Sequence, residues 1–163
     1  MRELTDIPVG GYVSHETDFA ALLARQSQGM QDLVQTEVVA ALADAEMVPE
    51  AGKFCAVTVV GHSDRVDDPG LTPEERRADE LNVCEQRVES AQAFLFNEIS
   101  DLILTAGGTV PADLASMQNG AIFTALAGAA NLLHPVPASE EERAENRRVQ
   151  FLIAKFAPEI PVP

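Results

Sequence analysis

One stretch decides how the chain is interpreted: VTVVGHSDRVDD, residues 57–68. Its first half is rich in β-branched residues and, with the preceding FCA, is typical of a short buried strand. The strand reaches Gly61 and then a small polar cluster that ends in the carboxylate of Asp64. The run through Pro69 and Gly70 predicts a loop. Asp64 is therefore either a functional carboxylate at a strand tip or a simple turn cap.

A long helix is predicted after this loop. Thr72 fits the N-cap, Pro73 the first helical position and Glu75 a capping box. Apolar residues then recur at helical spacing, at Cys84, Val88, Ala91, Leu95, Ile99 and Leu102. A straight helix over residues 73–104 would span about 48 Å, which is long for a small domain. We therefore expect a break near Asn82.

The other elements surround this strand and helix. The stretch GGYVSH (residues 10–15) could be a short strand, and residues 30–47 predict a helix with Leu33 and Val34 on its apolar face. AIFTALAG and RVQFLIAKF predict a final hairpin-like pair of strands, separated by a polar loop in which EEER, residues 140–143, forms a solvated helical face. The result is an α+β fold of order βαβαββ, a small mixed sheet covered by helices on one face.

The composition is that of an acidic globular chain. Its 163 residues suffice for one domain, and 46% are hydrophobic. A formal net charge of −15 argues against nucleic acid and anionic membranes as partners. No apolar run approaches a membrane span and no secretory signal is recognisable, so we expect cytoplasmic synthesis and no membrane insertion. Cys55 and Cys84 are expected to be buried thiols, with a disulfide as the alternative.

Three motifs, taken in order, resemble one known family. They are the strand into Gly61, His62, Ser63 and Asp64, the helix QRVESAQAFLF with Arg87, and the stretch ENRRVQFLI with Asn146, Arg147, Arg148 and Val149. Together they resemble the OmpA-like peptidoglycan-binding domain. The pattern of that family is a strand into Gly-His-Thr-Asp, a helix with an Arg-Ala step and a closing Asn-Arg-Arg-Val strand. The resemblance covers residues 54–156.

The chain departs from the family pattern in three ways. The connection between Asp64 and Arg87 is longer than usual and carries TPEERRADEL, an insertion around residues 66–82. Glu80 and Cys84 stand where the family has Asn and a helix-capping Ser. The N-terminal strand of the family is hard to find. We therefore divide the single domain into an N-terminal segment, 1–50, whose helix packs on the core, and an OmpA-like core, 51–163.

The resemblance implies a site for peptidoglycan and no cofactor or metal. The family binds the diaminopimelate residue of the stem peptide, whose end carries an ammonium and a carboxylate on one carbon. Asp64 would accept the ammonium and Arg87 would grip the carboxylate with its planar fork. The ligand-binding set is completed by Ser63, Asn146 and Arg148, and the supporting set is Gly61, His62, Glu80 and Arg147.

Several of these assignments have alternatives. Arg87 could be an exposed helix residue paired with a nearby glutamate. Arg76 or Arg77 could replace it if the inserted segment folds over the site. Because successive residues of a strand face opposite ways, only one of Arg147 and Arg148 can reach the site.

Two functions are compatible with these residues. The first is non-catalytic binding of peptidoglycan stem peptide, which would tether the protein to the cell wall. The second is a structural role in a phage virion, an injection machine or an envelope assembly, in which the scaffold is kept without peptidoglycan binding. Catalysis is not expected, because no nucleophile–base pair and no phosphate-binding loop can be found in the sequence.

Overall fold

The computed structural model describes residues 2–48 and 52–158. Its strands are β1 (Arg2–Gly10), β2 (Phe54–His62), β3 (Gly120–Gly128) and β4 (Arg148–Phe156). Its helices are α1 (Phe19–Ala24), α2 (Gln28–Val34), α3 (Ala40–Met47), α4 (Pro73–Thr105) and α5 (Glu140–Asn146). A π-helical turn, Gln35–Val39, joins α2 to α3, and a 3₁₀ turn, Leu114–Ser116, precedes β3. The expected division between residues 50 and 51 lies outside the described residues.

The four strands form one mixed sheet in the order β1-β4-β2-β3. β4 is antiparallel to both of its neighbours, whereas β2 and β3 run parallel. The hairpin-like pairing expected for the last two strands is wrong, because β2 lies between them. The connection over residues 129–147 contains α5 and is long enough for β4 to enter the middle of the sheet.

β1 is a strand that the sequence pattern did not reveal. Its Ile7 and Val9 point into the core and are almost fully buried. Pro8 argues against a central strand, but β1 is an edge strand with a single neighbour, so the missing amide hydrogen is tolerated. The strand expected over GGYVSH is wrong. Gly11 there has a φ of 103°, and the chain turns away from the sheet.

α4 is one continuous helix of 33 residues, about 50 Å long, so the break expected near Asn82 is wrong. Its N-terminus has the predicted capping box between Thr72 and Glu75, with Pro73 in the first turn. No glycine or proline interrupts the helix afterwards. The first turn is largely exposed and burial begins at Glu80. The helix can therefore be longer than the core is wide, because its first turns are exposed to solvent and do not pack on the core.

The apolar face of the α2–α3 segment is also corrected. Val34, Val38 and Leu42 are buried as expected, but Leu33 is 39% exposed and Val39 is fully buried. The π-helical turn adds a residue at this point and shifts the face that meets the core.

The helices α1 to α4 and the π-helical turn contribute to one core on one face of the sheet. Inward strand residues pack with helix residues, among them Val57, Val59, Phe151, Phe19, Val38 and Leu95. The opposite face is left uncovered, with Leu4 63%, Phe123 57% and Leu152 42% exposed. The predicted fold class, an α+β fold with a small mixed sheet covered by helices on one face, is confirmed.

Candidate functional site

A close contact between β2 and α4 positions the candidate site. A Cβ added to Gly61 would lie 2.7 Å from the carbonyl oxygen of Cys84 and 2.8 Å from a methyl group of Val88. Only glycine allows the strand to come this near to the helix. The end of β2, and with it Asp64, is thereby held beside the turn of α4 that carries Arg87.

A cavity of about 250 Å³ opens where the segment after β2 meets α4 and α5. Asp64 and Arg87 both line it, so the structure brings the predicted charge pair to one place. Ser63, Glu80 and Arg147 also lie on its wall. The inserted TPEERRADEL forms the start of α4 and leaves the cavity open. Arg76 and Arg77 line a neighbouring cavity instead.

Arg87 is buried, with 1% of its surface exposed. Its Nε donates to the carbonyl oxygen of Glu16 at 2.9 Å, and its Nη1 donates to that of His62 at 3.0 Å. The guanidinium lies 4.5 Å from the centre of the Tyr12 ring, which is a cation–π contact. Burial lowers the pKa of Arg87 to about 10, so the side chain is still a cation at neutral pH. It forms no ion pair with any described residue.

Asp64 is held by two residues of α5. One carboxylate oxygen accepts from Arg143 Nη1 at 2.8 Å, and the other accepts from Asn146 Nδ2 at 3.0 Å. Arg143 also reaches Asp67 at 3.1 Å, and the carboxylates of Asp64 and then Asp67 raise the pKa of Arg143. The Asp64 side chain is only 9% exposed. A simple turn cap does not describe a carboxylate with these partners.

Asn146 connects this carboxylate to the loop before α5. Its Nδ2 donates to Asp64 and to the carbonyl oxygen of His134, and its Oδ1 accepts from the amide of His134 at 2.9 Å. Asn146 is fully buried. Its amide group therefore fixes the position of Asp64 relative to α5.

Of the two neighbouring arginines, Arg147 lies against the cavity and Arg148 does not. Arg147 pairs with Glu140 and donates to the carbonyl oxygen of Arg143 at 3.1 Å. Arg148 is buried and donates to the carbonyl oxygen of Asn131 at 3.0 Å, so it holds the loop after β3. Arg148, predicted as a ligand-binding residue, therefore does not line the cavity, whereas Arg147, predicted as a supporting residue, does.

The predicted supporting residues hold the backbone around the cavity. Glu80 accepts from the amide of Val66 at 3.1 Å and so ties the segment after β2 to α4. His62 contacts Gln150 at 3.0 Å, and burial, followed by the charge of Arg148, lowers the pKa of this histidine. Burial raises the pKa of the nearby Cys84 thiol, and Cys55 and Cys84 are both free and buried.

Sequence reasoning missed two residues of the site. Arg143 was assigned to a solvated helical face, yet it bridges Asp64 and Asp67. Its spacing of three residues from Asn146, which places both on one helical face, was the available signal. Tyr12, whose ring lies under Arg87, is too far away in sequence for any local pattern to connect the two.

Within residues 2–48 and 52–158, no group of three His, Cys, Asp or Glu side chains is arranged to hold a metal ion. No helix in these ranges combines the length and the apolar character needed to cross a membrane.

Comparisons with known proteins show a similarity in fold only. No protein-family model matches the chain, and no curated protein matches it. Among solved structures it is similar to the periplasmic domain of Helicobacter pylori MotB, with 16% identity, 94% of this chain and 74% of that one covered, and a TM-score of 0.45. It is also similar to the OmpA-like domain of FopA1 from Francisella tularensis, with 9% identity, 97% of this chain and 78% of that one covered, and a TM-score of 0.42. A third similar structure is the cell wall anchor of the T6SS from Pseudomonas aeruginosa, with 22% identity, 95% of this chain and 82% of that one covered, and a TM-score of 0.35.

Proposed function

We propose that the domain binds the diaminopimelate head group of peptidoglycan stem peptide and acts as a non-catalytic cell-wall tether. Attachment to the cell wall is the general form of this proposal, and the contact with the stem peptide is its specific form. Asp64 accepts the ligand ammonium, and Arg87 donates to the ligand carboxylate. Ser63 and Arg147 lie on the same cavity wall and can add hydrogen bonds.

One observation carries the proposal: a buried cation without an anionic partner lines the same cavity as a nearly buried carboxylate. A buried charge is costly unless it is paired. Two backbone carbonyl oxygens and the Tyr12 ring compensate Arg87 only in part, since its pKa still falls to about 10. Its Nη2 has no hydrogen-bond partner among the described residues. A ligand carboxylate would supply the missing anion in the bidentate geometry that guanidinium favours.

Asp64 retains capacity for a ligand. A carboxylate has about four acceptor positions, and the described residues use two of them, for Arg143 and Asn146. Arg143 already neutralises much of its charge, so an incoming ammonium gains less than it would at a free carboxylate. Each charge-assisted contact contributes about 1.5–3 kcal/mol. After the cost of association, we expect micromolar to millimolar affinity, which suits a reversible tether.

We propose binding rather than catalysis because the reactive side chains nearby are poorly placed. Burial keeps Cys84 a thiol by raising its pKa, and a thiol is a weak nucleophile. His62 is held by Gln150 and does not line the cavity. Among the described residues, no nucleophile and base are paired across the cavity in a way that would support an enzymatic role.

The test is sedimentation of the purified protein with diaminopimelate-type peptidoglycan, followed by NMR titration with free meso-diaminopimelate. Asp64→Asn should weaken binding roughly 10- to 100-fold, because the ammonium loses a charged acceptor. Asp44→Asn is the matched control. Asp44 also has one ion pair, to Lys53 at 2.7 Å, but lies away from the cavity, so binding should be unchanged. Wild-type protein that stays in the supernatant at low salt would refute the proposal.

The second candidate is a structural subunit, and one observation favours it. The outer face of the sheet exposes Leu4 on β1, Leu152 on β4 and Phe123 on β3, with Thr58 of β2 between the last two. Apolar patches of this kind often mark interaction sites. Solution mass distinguishes the two functions. An assembled state together with no sedimentation on peptidoglycan would replace the tether by the structural role.

A further inference from the structure

The cations of this acidic chain are concentrated at one end of the molecule. The sequence has eleven Lys and Arg against 26 Asp and Glu. Six of the eleven line two adjoining cavities, and they are Arg65, Arg76, Arg77, Arg87, Arg143 and Arg147. Five carboxylates line the same cavities, and two of the arginines are paired with them, Arg143 with Asp64 and Asp67 and Arg147 with Glu140. The second cavity has the excess of cations, three arginines against Asp67 and Glu80, so it is the better place for an anion.

The second cavity, which we call the arginine cavity, has a volume of about 460 Å³. It lies next to the cavity lined by Asp64 and Arg87, which we call the head-group cavity. Arg76 and Arg77 line it from the first turns of α4, and Arg65 lines it from the segment after β2. Arg65 and Glu80 lie on the walls of both cavities, so the two spaces are neighbours. The inserted segment, which departs from the family pattern, therefore lines one side of the arginine cavity.

The three arginines of this cavity have free charge. Within the described residues none of them forms an ion pair, and Arg76 Nε donates only to the carbonyl oxygen of Leu71, at 3.2 Å. Arg77 Nη1 lies near Gly128, where an added Cβ would be 3.9 Å from it. Three guanidinium groups without carboxylate partners are unexpected in a chain with so many acids.

Four of the nearby carboxylates are engaged elsewhere. Asp67 binds Arg143 at 3.1 Å, and Glu80 accepts from the amide of Val66. Asp68 accepts from the amide of Gly70 at 2.8 Å, and Glu75 accepts from that of Thr72 at 2.8 Å. None of these four acids is paired with Arg65, Arg76 or Arg77 in the part of the chain that the structure describes. The three arginines therefore remain available to an oxyanion.

We propose that the arginine cavity binds a second carboxylate of the same stem peptide. This inference rests on the proposed function. In the stem peptide, the D-glutamate before diaminopimelate is linked through its side chain, so its α-carboxylate is free and lies one residue from the head group. The two cavities share part of their walls, so the proposal places the head group between Asp64 and Arg87 and that carboxylate in the adjoining cavity. Arg77 and Arg65 receive it, and they make the site selective for peptide with an unmodified glutamate.

The test compares three ligands by NMR titration: free meso-diaminopimelate, the tripeptide L-Ala–γ-D-Glu–meso-diaminopimelate, and the same tripeptide with the glutamate carboxylate converted to an amide. The acidic tripeptide should bind wild type about tenfold more tightly than the amide form, because only the former has a charged partner for the arginines. Arg77→Gln should remove this difference and leave the affinity for free diaminopimelate unchanged. Arg2→Gln, an exposed arginine on β1 far from both cavities, is the matched control and should preserve the difference.

The outcomes separate the two proposals. If wild type binds diaminopimelate but binds both tripeptides equally, or if Arg77→Gln leaves their difference intact, the second carboxylate site is refuted and the head-group site survives. If Arg77→Gln lowers the affinity for all three ligands alike, Arg77 acts only through the long-range electrostatic potential of the protein, and the inference is again overturned. If wild type binds none of them, both proposals fail. Arg77 is exposed, so its substitution should not affect folding, and circular dichroism checks this.

Discussion

Replacing Arg87 by methionine tests two opposing contributions of this residue to the free energy of unfolding, the cost of burying its charge and the gain from its hydrogen bonds. The pKa of Arg87 falls from its ordinary value to about 10, which corresponds to about 3 kcal/mol at about 1.36 kcal/mol per pKa unit. Because the folded-state value is the lower one, the charge opposes folding fully below pH 10 and less above it. Methionine has a similar length and removes this cost at neutral pH.

The same substitution leaves two carbonyl oxygens, those of Glu16 and His62, without their donor. Each lost partner costs about 1–3 kcal/mol, and loss of the contact with the Tyr12 ring costs about 1 kcal/mol. Set against the 3 kcal/mol recovered from the charge, the net loss of stability should be about 2 kcal/mol. Removal of one partner from a buried ion pair would cost more, about 3–5 kcal/mol. Arg87 is therefore expected to matter more for ligand binding than for folding.

The assay is urea unfolding at pH 7.5, followed by circular dichroism, with the slope m as a check on two-state behaviour. Arg87→Met should lower the unfolding free energy modestly and abolish diaminopimelate binding. Arg25→Met is the control. Arg25 also contacts Glu16, but through the carboxylate at the exposed surface, and its loss should leave the midpoint nearly unchanged. A loss above about 5 kcal/mol for Arg87→Met, with m unchanged, would refute the reasoning and make Arg87 primarily a structural residue.

Two more predictions concern the strand that leads to the site. Gly61→Ala should destabilise the domain by about 1–3 kcal/mol, because the added Cβ would lie 2.7 Å from the Cys84 carbonyl oxygen. Gly29→Ala is the control and should not destabilise the domain in the same urea assay, because an added Cβ there would have no neighbour within 4 Å. Equal effects of the two substitutions would show that β2 can move away from α4. His62→Gln should reduce the loss of stability below about pH 6.5, because burial lowers the histidine pKa and the unfolded state therefore binds the extra proton. Unfolding midpoints at pH 7.5 and 5 measure this, and parallel losses in both proteins would exclude His62 as the titrating group.

Local patterns predicted the elements with strong signals of their own. β2 and β4 were predicted from their β-branched and apolar residues, and the start of α4 from the Thr72 capping box, because these signals lie within a few adjacent residues. β1 was missed because Pro8 weakens the strand pattern, and its place at the sheet edge, where a proline is tolerated, is known only from the pairing with β4. The break expected in α4 is absent because the first turns of the helix are exposed and do not lie on the core, so domain size does not limit the length of the helix.

The sequence by itself determined which chemical groups are present and which local element carries each of them: a carboxylate after β2, an arginine on α4, and the Asn146 and Arg147 motif before β4. Only the tertiary structure decided how these groups are paired. Arg143 meets Asp64 from a helix 79 residues away, Tyr12 lies under Arg87, and Arg147 rather than Arg148 lies on the cavity wall. The physical reason is that backbone propensity is set by neighbours in sequence, whereas charge pairing and burial depend on distances in space between segments that no local pattern connects.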